Sequence, residues 1–290
     1  MHFSNVSAFF EAAKDSGATY SREGYLAEAR AAGIAASVCM GLVETSPAAF
    51  PDSAAPAAMT ADLDDNPPEI FTCLGINPHN LTADAITRMD AQITSNKSIA
   101  GFKIYAGYYH YMIHDPVYDP VYNLAAKHGL TVAIHTGDTY SERGLLEFSH
   151  PLAADRLAVK HRDVNFMLCH MGDPWIMDAC EVAYKNRNVF VDISGLLAGD
   201  KDLILQTEKR AVVMHHYTQG VTYLNDFKKV LFGTDWPLVP MKEYIDFCKK
   251  LVPESSYEDV FFNNAVRLFG LTDIVICRYK WPYAKPESGF

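Results

Sequence analysis

The sequence predicts an α/β fold in which a parallel sheet closes into a (β/α)8 barrel of the TIM type, with its first strand truncated or incomplete at the N-terminus. Seven short β-rich runs recur between longer helical stretches, and four of them carry a polar side chain as they leave the core. A chain of 290 residues with 49% hydrophobic side chains is large enough for one substantial core.

The β-rich runs are IAASVCM at 34–40, EIFTCLGI at 69–76, IAGFKIY at 99–105, LTVAIH at 130–135, VNFMLCH at 164–170, NVFVDIS at 188–194 and KVLFGTD at 229–235. Helical stretches at 22–32, 82–94, 118–128, 151–161, 174–186 and 202–215 separate them, with Gly33 and Gly129 placed to cap helix C-termini. Only Met1, His2 and Phe3 precede a helical stretch beginning near Ser4, so they read as the last residues of a first strand whose body is absent. The strand-like tail DIVICRYKW at 273–281 is the candidate to cover the resulting gap. Residues 43–68, rich in Ala, Pro, Ser and Asp, read as a long connection with one helix near 54–64. Residues 1–272 are expected to form one barrel and 273–290 a C-terminal tail, with no internal repeat.

The balance of 25 basic against 35 acidic side chains gives a net charge of −10, which disfavours nucleic acid and anionic membranes as partners and favours a small-molecule substrate. No stretch approaches about 18 uninterrupted apolar residues, and no basic segment followed by an apolar one opens the chain. A soluble, cytoplasmic protein is expected, with a homo-oligomer left open. Cys39, Cys73, Cys169, Cys180, Cys248 and Cys277 are scattered without CxxC spacing, the pattern of buried free thiols in a reducing compartment.

His135, His170, Asp235 and, less sharply, Lys103 stand at the ends of separate strands. In a parallel barrel those ends form one face, where a charge such as Asp235 gains from burial only if a cation or hydrogen-bond donors meet it. Imidazole nitrogen and carboxylate oxygen together suit zinc or a similar divalent ion. Taken singly, each has a plainer reading: a hydrogen-bonded core histidine, or an aspartate capping the next helix. Taken jointly they are more telling, because AIHTGD, LCHMGD and FGTDWP repeat one device of apolar strand, polar tip, small residue and turn.

The loop YAGYYHYMIHDPVY places Tyr105, Tyr108, Tyr109, His110, Tyr111 and His114 together, as a pocket wall for a planar substrate or as loop packing. His79, Arg143 and Trp236 complete the candidate substrate contacts. His215 and His216 are adjacent on one helix, point apart and read as structural.

In order along the chain, GINPHN, GFKIY, DPVYDPVYNLAAKHGLTVAIHTGD, MLCHMGDPW, VFVDISG, VLFGTDWP and NNAVRLFGL resemble the amidohydrolase superfamily. They are most similar to the branch of amidohydrolase-related metal-dependent hydrolases that also contains aminocarboxymuconate-semialdehyde decarboxylase, and the match spans about residues 25 to 271. The resemblance implies a distorted (β/α)8 barrel holding one metal through an H-x-H on strand one, a histidine on strand five and an aspartate on strand eight. It implies that His135 and Asp235 are ligands, that Asp235 also accepts a proton from water on the metal, and that His170 polarises substrate or handles a proton. The chain departs from the pattern at strand one, where His2 aligns with the second histidine and the first falls one position before Met1. His2, His135 and Asp235 remain as three protein ligands for a divalent metal, zinc foremost and manganese or iron as alternatives. Lys103 stands where distant members carry a carboxylated lysine; here it is expected to pair within the barrel mouth or to meet a substrate carboxylate.

The expected activity is hydrolysis of a carbonyl substrate such as a lactone, ester or amide. The alternatives are decarboxylation of an aromatic or unsaturated acid, and a non-catalytic barrel with a degraded metal site.

Overall fold

The computed structural model describes residues 1–2, 7–42, 58–59, 67 and 69–271. Its strands are β1 (Ser37–Met40), β2 (Ala58–Met59), β3 (Ile70–Ile76), β4 (Ile99–Ile104), β5 (Thr131–His135), β6 (Phe166–Cys169), β7 (Val189–Asp192) and β8 (Val230–Leu231). Seven of them pair in parallel in the order β1, β3, β4, β5, β6, β7, β8 and curl into a TIM-type barrel, while β2 lies antiparallel on the outer end of β3. The expected helix near 54–64, Phe3 and the tail strand at 273–281 lie outside the described residues.

Period-two alternation along each strand sorts side chains onto two faces. Phe102, Ile104, Val132, Ile134, Phe166, Leu168, Val189 and Val191 join the buried layer beneath the helices. The intervening positions turn inward, where Phe71, Cys73, Ala133, Met167, Cys169 and Leu231 pack on Leu268, Phe269 and Leu271 at the barrel floor, joined by Ala100 at the irregular start of β4. Lys103, His135 and Asp192 share the inward parity one or more steps further along their strands. The same alternation that builds the core therefore aims them at the barrel mouth.

Connecting helices follow the expected positions at 83–95, 119–128, 153–160 and 176–185. Gly129 closes the second of these in the left-handed conformation, at φ 64°. The stretch expected as one helix at 202–215 is two, Lys201–Glu208 and Ala211–Leu224, broken where Arg210 takes φ −91° and ψ 89°. The break frees the second helix to lie against the helix at 176–185. Gly220 makes that approach possible, since a Cβ there would stand 2.3 Å from Ile176 Cγ2.

The last strand is shorter than its sequence pattern. After Leu231 the chain leaves the sheet, the Phe232 N–H donates to the Val260 carbonyl at 2.9 Å, and Asp235 adopts φ 54°. Met1 and His2 lie between the end of β1 and the segment after β8. Met40 N–H donates to the Met1 carbonyl at 2.9 Å, and His2 N–H donates to the Trp236 carbonyl at 3.0 Å. No helix among the described residues is long and apolar enough to cross a membrane.

The motif NNAVRLFGL seals the floor. Asn264 Nδ2 donates to the carbonyls of Phe227 and Val230 at 2.7 Å each, its Oδ1 accepts from Arg267 at 2.7 Å, and Thr131 Oγ1 donates to the Leu268 carbonyl at 2.6 Å. Replacing Asn264 by alanine removes the side-chain donor from both carbonyls, though that of Phe227 keeps the Val230 N–H, so Asn264→Ala is expected to lower unfolding stability by about 1 to 3 kcal/mol in urea titration, against less than about 0.5 kcal/mol for a surface control.

Candidate metal centre and active site

His2, His135, His170 and Asp235 converge at the C-terminal mouth of the barrel. His2 Nε2 stands 2.9 Å from Asp235 Oδ1, and the His135 and His170 rings meet edge-on with centroids 5.0 Å apart. His170 and Asp235 both flank Gly195, because a Cβ on that glycine would stand 2.5 Å from His170 Nδ1 and 3.0 Å from Asp235 Oδ2. Gly195 itself has φ 61°, a conformation that side chains disfavour, so the position is closed to larger residues twice over. His170 and Asp235 also adopt left-handed backbone, at φ 63° and 54°. Such strain persists only where surroundings enforce it.

Each of the three imidazoles has one nitrogen tied to a backbone carbonyl. His2 Nδ1 bonds Met40 O at 3.1 Å, His135 Nε2 bonds Asp138 O at 2.8 Å, and His170 Nδ1 bonds Ser194 O at 3.0 Å. A carbonyl oxygen only accepts, so these nitrogens carry a proton, and in the neutral form of each ring the opposite nitrogen is the one with the lone pair. This is the orientation that metal-ligating histidines take when an outer partner fixes the tautomer. Once its Nδ1 donates, the His2 contact with Asp235 needs a positive charge on the other side, either a proton on Nε2 or a cation. Burial pulls the His2 pKa down despite the attraction of Asp235, which disfavours the proton. Two ligands at about 2.1 Å from one ion and at right angles stand about 3 Å apart, close to the separation observed. The His2–Asp235 pair therefore has the spacing of two ligands on one divalent metal, and the nitrogen and oxygen donors of His2, His135 and Asp235 suit such an ion in kind. Among the described residues no group of three or more His, Cys, Asp or Glu side chains is placed to hold a metal ion, and the His135 ring is held toward Asp138.

Burial alone would raise Asp235, but His2 and then His170 outweigh it and hold its carboxyl well below the usual carboxylate range. His135 is driven well below its usual value by burial first, then by His170 and Lys103. Lys103, only 2% exposed, resists the downward pull of burial because Cys169, Asp192 and Asp235 face it, and its pKa is raised. The mouth thus holds an ionised acid, a His135 ring that burial keeps from protonating, and a buried cation.

Asp192, Ser194 and Cys169, which the sequence does not mark as site residues, belong to this cluster, as does Tyr108 from the aromatic loop. Asp192 Oδ1 accepts from His170 N–H at 2.9 Å, Ser194 N–H at 2.9 Å and Ser194 Oγ at 2.6 Å, which fixes the turn that carries His170. Its signal was available: NVFVDIS ends an apolar strand in an acid, as FGTD does. Tyr108 lays its ring edge-on to His135 at 4.8 Å, and its hydroxyl accepts from Tyr140 N–H at 2.8 Å.

The expected substrate contacts divide. Lys103 lines a cavity of about 520 Å³ together with Cys169, His170, Asp192 and Asp235. Tyr105 joins the mouth, with its ring centroid 5.4 Å from Lys103 Nζ and its hydroxyl donating to Gly41 O at 2.6 Å. Trp236 is packed instead: it is fully buried, its Nε1–H donates to Glu28 at 2.9 Å, and Tyr20 and Tyr25 enclose it. Tyr109 is buried against the exposed His79, with ring centroids 5.8 Å apart. Arg143 is exposed and offers its carbonyl to His110 at 3.1 Å. His216 pairs with Asp173 at 2.8 Å.

The chain belongs to the amidohydrolase family, whose profile matches residues 11–271. No curated protein matches it. An uncharacterized TIM-barrel protein from Bordetella bronchiseptica is similar in structure, with 20% identity, coverage of 93% of this chain and 94% of that one, and a TM-score of 0.66. A probable 2-pyrone-4,6-dicarboxylic acid hydrolase from Acinetobacter baumannii, bound to citric acid, is 13% identical over 93% of this chain and 97% of that one, with a TM-score of 0.59. A 5-carboxyvanillate decarboxylase from Novosphingobium aromaticivorans, complexed with manganese and 4-hydroxy-3-methoxy-5-nitrobenzoic acid, is 13% identical over 89% of this chain and 86% of that one, with a TM-score of 0.54.

Gly195→Ala is expected to weaken zinc or manganese binding at least about tenfold by titration calorimetry, since the methyl displaces His170 and Asp235, while far-ultraviolet circular dichroism stays that of the parent.

Proposed function

We propose that this protein is a metal-dependent hydrolase that cleaves a carbonyl bond in a carboxylated ring compound, a lactone being the simplest case. The observation that carries this reading is the shared tautomeric arrangement: three imidazoles with one nitrogen fixed by a backbone carbonyl, gathered around an ionised Asp235. His2, His135 and Asp235 are the residues that would hold a divalent ion, zinc or manganese. Such an ion supplies Lewis acidity and makes hydroxide accessible near neutral pH.

The remaining roles fall to the chain's own side chains. Asp235 keeps one oxygen on His2 and has the other, Oδ2, beside Gly195, where it takes a proton from attacking water. His170, with Nδ1 committed to Ser194, turns Nε2 toward the carbonyl oxygen and stabilises charge that develops there. Lys103 is a cation enclosed by the barrel and suits a substrate carboxylate, which an uncharged analogue cannot replace. Tyr105 and Tyr108 supply flat walls for a ring.

Decarboxylation of a ring carboxylate is the second reading. Lys103 favours it equally, and the manganese-containing neighbour acts on a carboxylated ring according to its name. The two readings differ in product. Incubation of the zinc- or manganese-loaded protein with a pyrone dicarboxylate is expected to open the lactone ring with acid release, and neither that compound nor carboxylated phenols are expected to yield carbon dioxide. Chelation by a strong metal-binding agent, His135→Ala and Asp235→Ala are each expected to cut the rate more than about a hundredfold. Carbon dioxide as the product would select the second reading, and full turnover in either variant would sink both.

A further inference from the structure

Lys103 on β4 and Cys169 at the end of β6 reach into the barrel from either side of β5, and Lys103 Nζ lies 2.9 Å from Cys169 Sγ. Both are enclosed, at 2% exposure each. Cys169 is a free thiol, and both side chains line the same cavity of about 520 Å³. A lysine ammonium usually finds carboxylate or carbonyl oxygen when buried; here its hydrogen-bond acceptor is sulfur. Mutual contact of an amine and a thiol inside a protein is also the arrangement from which an oxidised cross-link forms without backbone movement.

We propose that Lys103 and Cys169 form a reversible cross-link, Sγ–O–Nζ, when the protein meets a peroxide. One hydrogen peroxide oxidises the thiol to a sulfenic acid and releases water. Lys103, an ammonium at rest, first gives one proton to solvent, and a second hydrogen peroxide then oxidises the free amine to a hydroxylamine and releases water. The hydroxylamine oxygen then bonds to sulfur, and its proton departs with the sulfenic hydroxyl as a third water. Sulfur and nitrogen each give up one electron pair, and the two O–O bonds receive them. The existing contact is close to the span of one bridging oxygen, so the rigid sheet on both sides assists closure.

The link turns Lys103 from a cation into an uncharged group and ties β4 to β6 across β5. Its effect on catalysis rests on the proposed role of Lys103 as a carboxylate anchor; the link itself does not. An oxidised protein would bind ring carboxylates poorly and recover on reduction.

Intact-mass spectrometry of the purified chain after hydrogen peroxide is expected to show a gain of about 14 Da, one oxygen added and two hydrogens lost, reversed by dithiothreitol. Tryptic mapping of the same sample is expected to join the peptides that contain Lys103 and Cys169. Cys169→Ser and Lys103→Met should both abolish the gain. Oxidation confined to Cys169, read as about 16 or 32 Da without joined peptides, overturns the proposal. So does a loss of about 2 Da with Cys73 as the partner. Because the readout is covalent mass, a positive result stands even if no hydrolase or decarboxylase activity is found, and a negative one leaves the proposed function intact.

Discussion

A carboxylate at the end of an apolar strand needs a counter-charge, and much of the barrel mouth follows from how Asp235 obtains one. Its solvent is replaced by protein, a change that costs several kcal/mol for an uncompensated ion. His2 Nε2 meets one oxygen at 2.9 Å. His2 is itself held by its ring bond to the Met40 carbonyl and by its N–H bond to the Trp236 carbonyl. One polar contact thus couples the first residues, the end of β1 and the turn after β8, three segments far apart in sequence. Trp236 anchors the turn from behind through Glu28, which also receives the Met241 N–H at 2.8 Å.

The remaining members of the cluster are placed by parity and by small hydrogen-bonded turns. Parallel register sets His135 beside Cys169 and Lys103 beside Ala133, so inward-facing residues of neighbouring strands rise in steps toward the mouth. Asp192 then converts a strand end into a scaffold: three donors converge on one of its oxygens and hold His170 in its left-handed conformation. Gly195 leaves the space that His170 and Asp235 occupy. A shift of any one strand by a single residue would send its polar tip to the helix-covered face, where no partner waits.

Much of this was legible in the chain. The β-rich runs correspond to strands β1 and β3 through β8 because alternation and β-branched content act locally and survive tertiary packing. His135, His170 and Asp235 stood out because each broke an apolar run, and His2 emerged by resemblance alone, since two residues carry no periodicity. The single helix expected at 202–215 was misread because helix propensity continues smoothly past Arg210, whereas the break answers to the fit of Gly220 against Ile176. The run at 229–235 looked like a full strand, but only Val230 and Leu231 pair; Phe232 turns to Val260, a partner no local pattern reveals. Trp236 sits beside a candidate ligand in sequence and was read as a substrate contact, yet its indole is committed to Glu28, 208 positions away.

The sequence by itself determined the barrel and the side of it on which polar chemistry gathers, because both follow from period-two patterning and from the energetic cost of charge at a strand end. Tertiary structure alone decided which nitrogen of each histidine is committed, which aromatic residues are walls and which are packing, and that Lys103 meets sulfur. Those outcomes depend on backbone carbonyls and side chains brought together from distant segments, and their distances are set by the closure of the sheet.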